Sequence, residues 1–222
     1  PGKGFVQGSS ANASIIAMCA AGVFSQGTIK AQNIDPNQVL NYVSCHDNYT
    51  LFDQLIQTMD EDKLLNAYTQ ADAVVFLAQG VPFIQEGEEF MRSKWDAQTD
   101  SYSGNSYNVG DFVNELDYSL KIEHMDVFEK TKELIALRSS TDELRLGTRQ
   151  LINDRLNVIS HDGGSVRYTV GELLVIHTVP GMTVDLDGSY EMIYSNVRTE
   201  YGVVSGLLSV AANESVVLRK VG

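Results

Sequence analysis

The sequence predicts an α/β part over residues 1–142 followed by an all-β part over residues 143–222. Three observations carry this. Residues 39–92 run strand, loop, helix, strand, loop, the order of a βαβ unit with a parallel pair and a right-handed crossover. From about Leu144 the pattern changes to short, alternating, β-branched segments separated by turn residues, the signature of an antiparallel sandwich or barrel. Both strands of the first part end in dense polar clusters at the same C-terminal edge, where α/β folds build their sites.

Composition fits such a fold. The chain has 222 residues, 43% hydrophobic and 20% charged, with only 4 Pro. That balance argues against disorder. The formal net charge is −13, with 29 Asp and Glu against 16 Lys and Arg. Such a surface repels phosphates and anionic lipid, so nucleic acid and membranes are discounted as partners. No apolar run reaches the roughly 18 residues that a membrane span needs. The most apolar stretch, Ile15 to Val23, has no basic lead and is not read as a signal peptide. The chain begins at Pro1 rather than Met, which suggests processing or excision from something longer. Cys19 and Cys45 make neither a metal-ligand spacing nor a disulfide framework, so two free buried thiols are expected.

Taken in order, Ser9 or Ser10 is placed to cap a helix running to about Ala21, ended by Gly22 and Gly27. Asp35-Pro36-Asn37 signals a turn. Residues 39–44 form an apolar, β-leaning run. Glu61 to Gln79 has Leu64, Tyr68, Ala71, Val75 and Ala78 on one face and acidic residues at its start, so a helix is expected. Gly80-Val81-Pro82 stops it, and Phe83-Ile84-Gln85 is the second short strand. Residues 93–117 form a long loop rich in polar and aromatic side chains. Met125 to Ser139 is helical again. Seven strands are expected near 156–161, 166–170, 173–179, 182–186, 190–194, 203–209 and 215–221, with Asp187-Gly188 among the turns between them.

The chemistry concentrates where the first strand ends. His46, Asp47 and Asn48 follow Val39-Leu40-Asn41-Tyr42-Val43, more polar function than a strand-to-loop junction needs. A His–Asp pair that merely caps a turn remains an equal reading of the bare residues. A Cys45–His46 nucleophile pair is disfavoured, because adjacent strand residues point to opposite faces. The second strand runs into Glu86-Gly87-Glu88-Glu89-Phe90-Met91-Arg92, whose carboxylates and guanidinium suit bidentate hydrogen bonding to hydroxyls. Asn105 to Tyr118 mixes amides with aromatic rings, a pairing suited to carbohydrate. The sequons at Asn12, Asn48 and Asn213 are chance-level patterns.

Asn41-Tyr42-Val43-Ser44-Cys45-His46-Asp47-Asn48-Tyr49-Thr50-Leu51-Phe52-Asp53 resembles a signature segment of glycoside hydrolase family 13, the α-amylase family, and in detail its type I pullulanase, starch-debranching branch. Gly80 to Lys94 resembles that family's eighth barrel strand and the loop after it, and Asn105 to Tyr118 the loop that lines its glucose subsites. The resemblance implies the C-terminal part of a (β/α)8 TIM barrel, about strands 7–8 with their helices, followed by an antiparallel β-sandwich. It implies cleavage of α-1,6-glucosidic links with retention. Asp47 corresponds to the carboxylate that stabilises the transition state, and His46 to the histidine that binds a sugar hydroxyl. Asn48, Glu88, Arg92, Asn108 and Asp111 correspond to substrate-binding positions, Tyr107 more weakly. The implied partners are α-glucans (pullulan, limit dextrin, maltooligosaccharides) and the rest of the barrel. No cofactor is required, although Ca2+ in the complete enzyme is compatible. A bacterial, extracellular or cell-surface setting is favoured over the cytoplasm.

A retaining glycosidase needs a nucleophile and an acid/base about 5–5.5 Å apart. In this family they lie on the fourth and fifth strands, which this sequence does not contain, and two strands cannot close a barrel of eight. The expectation is therefore a C-terminal fragment, inactive alone. Two alternatives are an α-1,4-acting or isoamylase-like relative and a non-catalytic carbohydrate-binding or structural module.

Overall fold

The computed structural model describes residues 3–23 and 35–222. A 3-10 turn at Ser10–Asn12 leads into helix α1, Ala13–Ala20. Neither flanking residue, Ser9 nor Asn12, makes a side-chain cap, so the expected serine cap is replaced by the backbone turn. Gly27, expected to end this helix, lies outside the described residues.

The βαβ unit forms as expected, with shorter strands. Strand β1 is Leu40–Asn41; α2 is Leu51–Ile56; α3 is Glu61–Leu77; β2 is Val81–Pro82. β1 and β2 pair in parallel, Leu40 opposite Val81 and Asn41 opposite Pro82. Val81 N donates to Val39 O (2.8 Å) and Phe83 N to Asn41 O (2.9 Å), so the ladder outlasts the strands by a residue at each end. The second strand begins at Val81 rather than Phe83. Gly80 explains the shift. Its φ is +103°, and a Cβ there would lie 2.8 Å from Val39 O, so a glycine in this conformation lets the chain turn straight into the strand. α2 was not expected; Thr50 caps it, accepting from Asp53 N (3.1 Å).

α3 is buried on almost every side from Ala67 to Leu77, as befits a helix at the centre of the molecule. Two small antiparallel strands, β3 (Trp95–Asp96) and β4 (Ser101–Tyr102), and short helices α4 (Asp111–Asn114) and α5 (Leu120–Glu123) occupy the long loop region. α6, Met125–Ser140, packs along α3. A 3-10 turn at Asp142–Arg145 and helix α7, Arg149–Arg155, lead to the β part.

That part is one continuous antiparallel sheet of six strands in the order β5-β6-β7-β10-β8-β9, where two packed sheets were expected. The strands are β5 (Leu156–Asp162), β6 (Ser165–Val170), β7 (Leu173–Thr178), β8 (Met182–Ser195), β9 (Val203–Val210) and β10 (Glu214–Lys220). The predicted turn at Asp187-Gly188 is instead a register shift between Leu186 and Ser189 inside one long strand. Such a bulge admits turn-forming residues without ending the ladder. Asp187 is held there by Tyr190 Oη (2.5 Å) and Lys220 Nζ (3.0 Å).

Alternation along the central strands gives the sheet two apolar faces. Leu174, Ile176, Val216 and Leu218 pack with Val184, Leu186 and Leu208 of β8 and β9. On the other face Leu173, Val175 and Val217 join Phe5, Ala17, Phe76, Leu77 and Leu134 from the α/β part. The two parts therefore share a core. Buried polar bonds cross it: Gln70 Nε2 donates to Thr178 O (3.0 Å) and Glu214 O (3.2 Å), and Asn213 Nδ2 donates to Gln70 Oε1 (2.8 Å). Cys19 and Cys45 are unpaired and half-buried rather than buried. No helix among the described residues is long and apolar enough to cross a membrane.

Candidate functional site

β1 and β2 deliver two loops to one edge. The first carries His46, Asp47 and Asn48, all exposed. His46 Nε2 lies 3.6 Å from Asp47 Oδ2, with the side chains 86% and 71% exposed. Asn48 adopts a left-handed conformation at φ +64°, tolerated by asparagine better than by most side chains. The turn thus presents an imidazole and a carboxylate to solvent side by side.

The second loop, from β2 to β3, holds the first in place. Lys94 is 1% exposed. Its Nζ donates to the carbonyls of His46 (2.8 Å) and Asn48 (2.9 Å). Asp53, fully buried in the first turn of α2, accepts from Ser93 Oγ (2.6 Å) and from the Lys94 backbone N–H (2.9 Å). Burial lowers the Lys94 pKa, against the opposing pull of the Asp53 and Asp47 charges. Ser93 and Lys94 lie at the end of the segment Gly80 to Lys94, but the sequence offered no sign that Lys94 and Asp53 would be buried, since Lys and Asp seldom are.

Glu88, expected among the substrate-binding residues, is not on the surface. It is buried in the 3-10 turn Glu88–Phe90 and accepts a hydrogen bond from Ser44 Oγ at the end of the first strand run. Its carboxyl group meets that of Asp72 on α3. Burial pushes the Glu88 pKa up to about 7, with the Ser44 hydroxyl working against the shift. Burial, and then the neighbouring Glu88 charge, raises Asp72 well above its ordinary value. Tyr68 Oη donates to the Glu88 carbonyl (2.6 Å) and Thr131 Oγ1 to Asp72 (3.4 Å). The Glu88 side chain is thus turned inward, to Ser44 and Asp72.

Arg92 is likewise turned to support. It is half-buried, with Nη2 on the Asn114 carbonyl (2.9 Å), and its stem packs against Gly87, where a Cβ would lie 2.7 Å away. Asn114 in turn donates to the carbonyls of Ser106 and Val109 (both 2.7 Å), closing the loop that carries Asn108 and leads to Asp111. Asn108 and Asp111 are exposed. Among the described residues no hydrogen bond joins either of them to the 46–48 turn; the connection runs through Asn114, Arg92 and the intervening loop.

Aromatic rings surround this edge. Trp95 and Tyr102 meet edge-on at 4.8 Å, and Trp95, Tyr107, Phe112 and Tyr118 are all substantially exposed. Beneath them, on the outer face of the β1–β2 pair, Leu40, Tyr42, Val81 and Phe83 are 53%, 53%, 40% and 39% exposed. Paired strands seldom leave four large apolar side chains open together. No group of three or more His, Cys, Asp or Glu suited to a metal ion is found among the described residues.

The fold has counterparts among known proteins. A pullulanase of Bacillus subtilis is 30% identical over 142 residues, covering 63% of this chain and 19% of that protein. The solved type I pullulanase of Bacillus subtilis, complexed with maltose, superposes with a TM-score of 0.85 at 24% identity, over 98% of this chain and 32% of that one. The pullulanase of Paenibacillus barengoltzii, solved with maltohexaose and α-cyclodextrin, superposes with a TM-score of 0.80 at 27% identity, over 98% of this chain and 35% of that one. This chain therefore spans about a fifth of the curated relative and about a third of the solved ones. No protein-family model matches the chain.

Proposed function

We propose that this chain is the C-terminal part of a family 13, type I pullulanase-like hydrolase that cleaves the α-1,6 branch links of starch-type glucans with retention. In this reading β1 and β2 are the last two strands of a (β/α)8 barrel, and residues 143–222 are the β domain that follows it. The observation that carries the reading is the turn at the end of β1. Asp47 and His46 stand open, side by side, on a backbone held by buried groups.

The roles follow from the chemistry. An oxocarbenium-like transition state gains from a fixed carboxylate and from donors to the ring hydroxyls. Asp47 supplies the carboxylate, and His46, Asn48, Asn108 and Asp111 supply the hydrogen bonds. The exposed rings of Trp95, Tyr107 and Tyr118 suit the apolar faces of pyranose units. Glu88 and Arg92 act behind this surface, bracing the loops. Pullulanases related to this chain have been solved with maltose and with maltohexaose, which supports α-glucans as its ligands. The exposed face of Leu40, Tyr42, Val81 and Phe83 fits the remainder of the barrel.

The nucleophile and the acid/base belong to that remainder, so the chain alone is proposed to be inactive. Pullulan digestion tests this. The full-length enzyme should release maltotriose of retained anomeric configuration, and the purified 222-residue chain should release none. Hydrolysis by the isolated chain, or α-1,4 cleavage by the full-length enzyme with the branch links left intact, would overturn the proposal.

A further inference from the structure

We infer that Lys94 is the positioning residue for Asp47, setting where that carboxylate stands by gripping the backbone on both sides of it. This rests on the reading of Asp47 as a carboxylate of an α-glucan site.

The geometry is specific. One ammonium group donates to the carbonyls of His46 and Asn48, the residues on either side of Asp47, at 2.8 and 2.9 Å. The peptide unit entering Asp47 and the one leaving Asn48 are therefore tied to a single point, which brackets the Asp47 backbone. The turn needs such a tie. Asn48 is left-handed at φ +64°, and among the described residues the His46 and Asp47 side chains form their one close ion pair with each other. The grip is itself anchored. Asp53 holds the Lys94 backbone N–H, and Ser93 Oγ, held by the same carboxylate, accepts from Trp95 N (3.1 Å). Thr50 fixes Asp53 at the start of α2. A rigid helix thus reaches Asp47 through Asp53 and Lys94.

Burying an ammonium group is costly, and neutral carbonyls repay it only in part. An exposed lysine with a water-filled turn would satisfy stability alone. Holding the ammonium 1% exposed beneath an exposed carboxylate makes sense if the position of that carboxylate matters. Misplacing a reacting group by about 1 Å costs on the order of 100-fold in rate.

Lys94→Met keeps the side-chain length and removes the grip. In the 222-residue chain, amide hydrogen exchange at residues 46–49 should rise about tenfold or more, while exchange in α3 and in β7 stays as in the wild type. In the full-length enzyme kcat on pullulan should fall about 100-fold with KM little changed. Lys94→Arg, which restores a donor, should recover part of both losses. Unchanged exchange at residues 46–49, or a uniform rise through the whole chain, would overturn the inference. So would equal damage from Lys94→Met and Lys94→Arg. Asp47→Asn separates the two layers: if it leaves kcat intact while Lys94→Met still loosens the turn, the functional reading falls and the grip stands.

Discussion

Two pairs of titratable side chains lie at the same end of the β1–β2 ladder and behave in opposite ways. His46 and Asp47 are 3.6 Å apart and open to solvent. Asp72 and Glu88 meet in the interior, where burial raises the pKa of both. Their chemistry overlaps on paper, since each pair holds a carboxylate beside a titratable group. Burial decides the difference. In water a close charge pair contributes little to stability and stays free to act on a ligand. In the interior, a carboxyl pair is part of the fold and answers to pH. The two pairs are linked through Ser44, two residues before His46, whose hydroxyl donates to Glu88.

The largest effect on stability should come from the anchor between the two levels. Asp53→Ala leaves the Ser93 hydroxyl and the Lys94 N–H without their acceptor and removes a carboxylate charge felt by the buried Lys94 ammonium. Chemical denaturation should show a loss of about 3 kcal/mol. A loss below about 1 kcal/mol would mean that the anchor is redundant.

Next is pH. The folded Glu88 pKa of about 7 lies above its ordinary value of 4.5, so the folded state keeps a proton that the unfolded chain releases. The contribution is fully present below about pH 4.5, declines between 4.5 and about 7, and is gone above that. Asp72, also raised, acts in the same direction. Stability of the wild type should fall by on the order of 3 kcal/mol across that window relative to Glu88→Gln, at about 1.4 kcal/mol per pKa unit. Parallel pH profiles for the two proteins would remove the buried pair from the account.

The smallest effect should come from the exposed pair. His46→Ala should change stability by no more than about 0.5 kcal/mol, as surface substitutions do, while weakening α-glucan affinity in the full-length enzyme. Calorimetry and inhibitor binding check the two halves, and a large drop in melting temperature would mean that His46 belongs to the scaffold.

Much of the frame was legible. The helix expected over Glu61–Gln79 spans Glu61–Leu77, because its apolar period and acidic start agree with its burial. The strand pattern after Leu144 was legible for the same reason, apart from Asp187-Gly188, where turn-forming residues serve a bulge. α2 is hard to see in sequence because its opening residues follow directly on the polar cluster. Thr50 with Asp53 three residues on is a capping signal, and could have found it. At the site, the exposed residues were legible by type and the supporting ones were not. Glu88 and Arg92 look like ligand-binding groups in sequence, and only the three-dimensional arrangement shows them turned toward Ser44 and Asn114. Lys94 was hidden in the opposite sense, as an ordinary surface residue.

The central claim is that the open carboxylate beside His46 stabilises a glycosidic transition state. The direct test is kcat of Asp47→Asn on pullulan in the full-length enzyme, with folding verified by its melting temperature. The account predicts wild-type folding and a kcat lowered by on the order of 1,000-fold or more, beyond the 100- to 1,000-fold loss of a single transition-state hydrogen-bond donor. Turnover within a few-fold of wild type would contradict it.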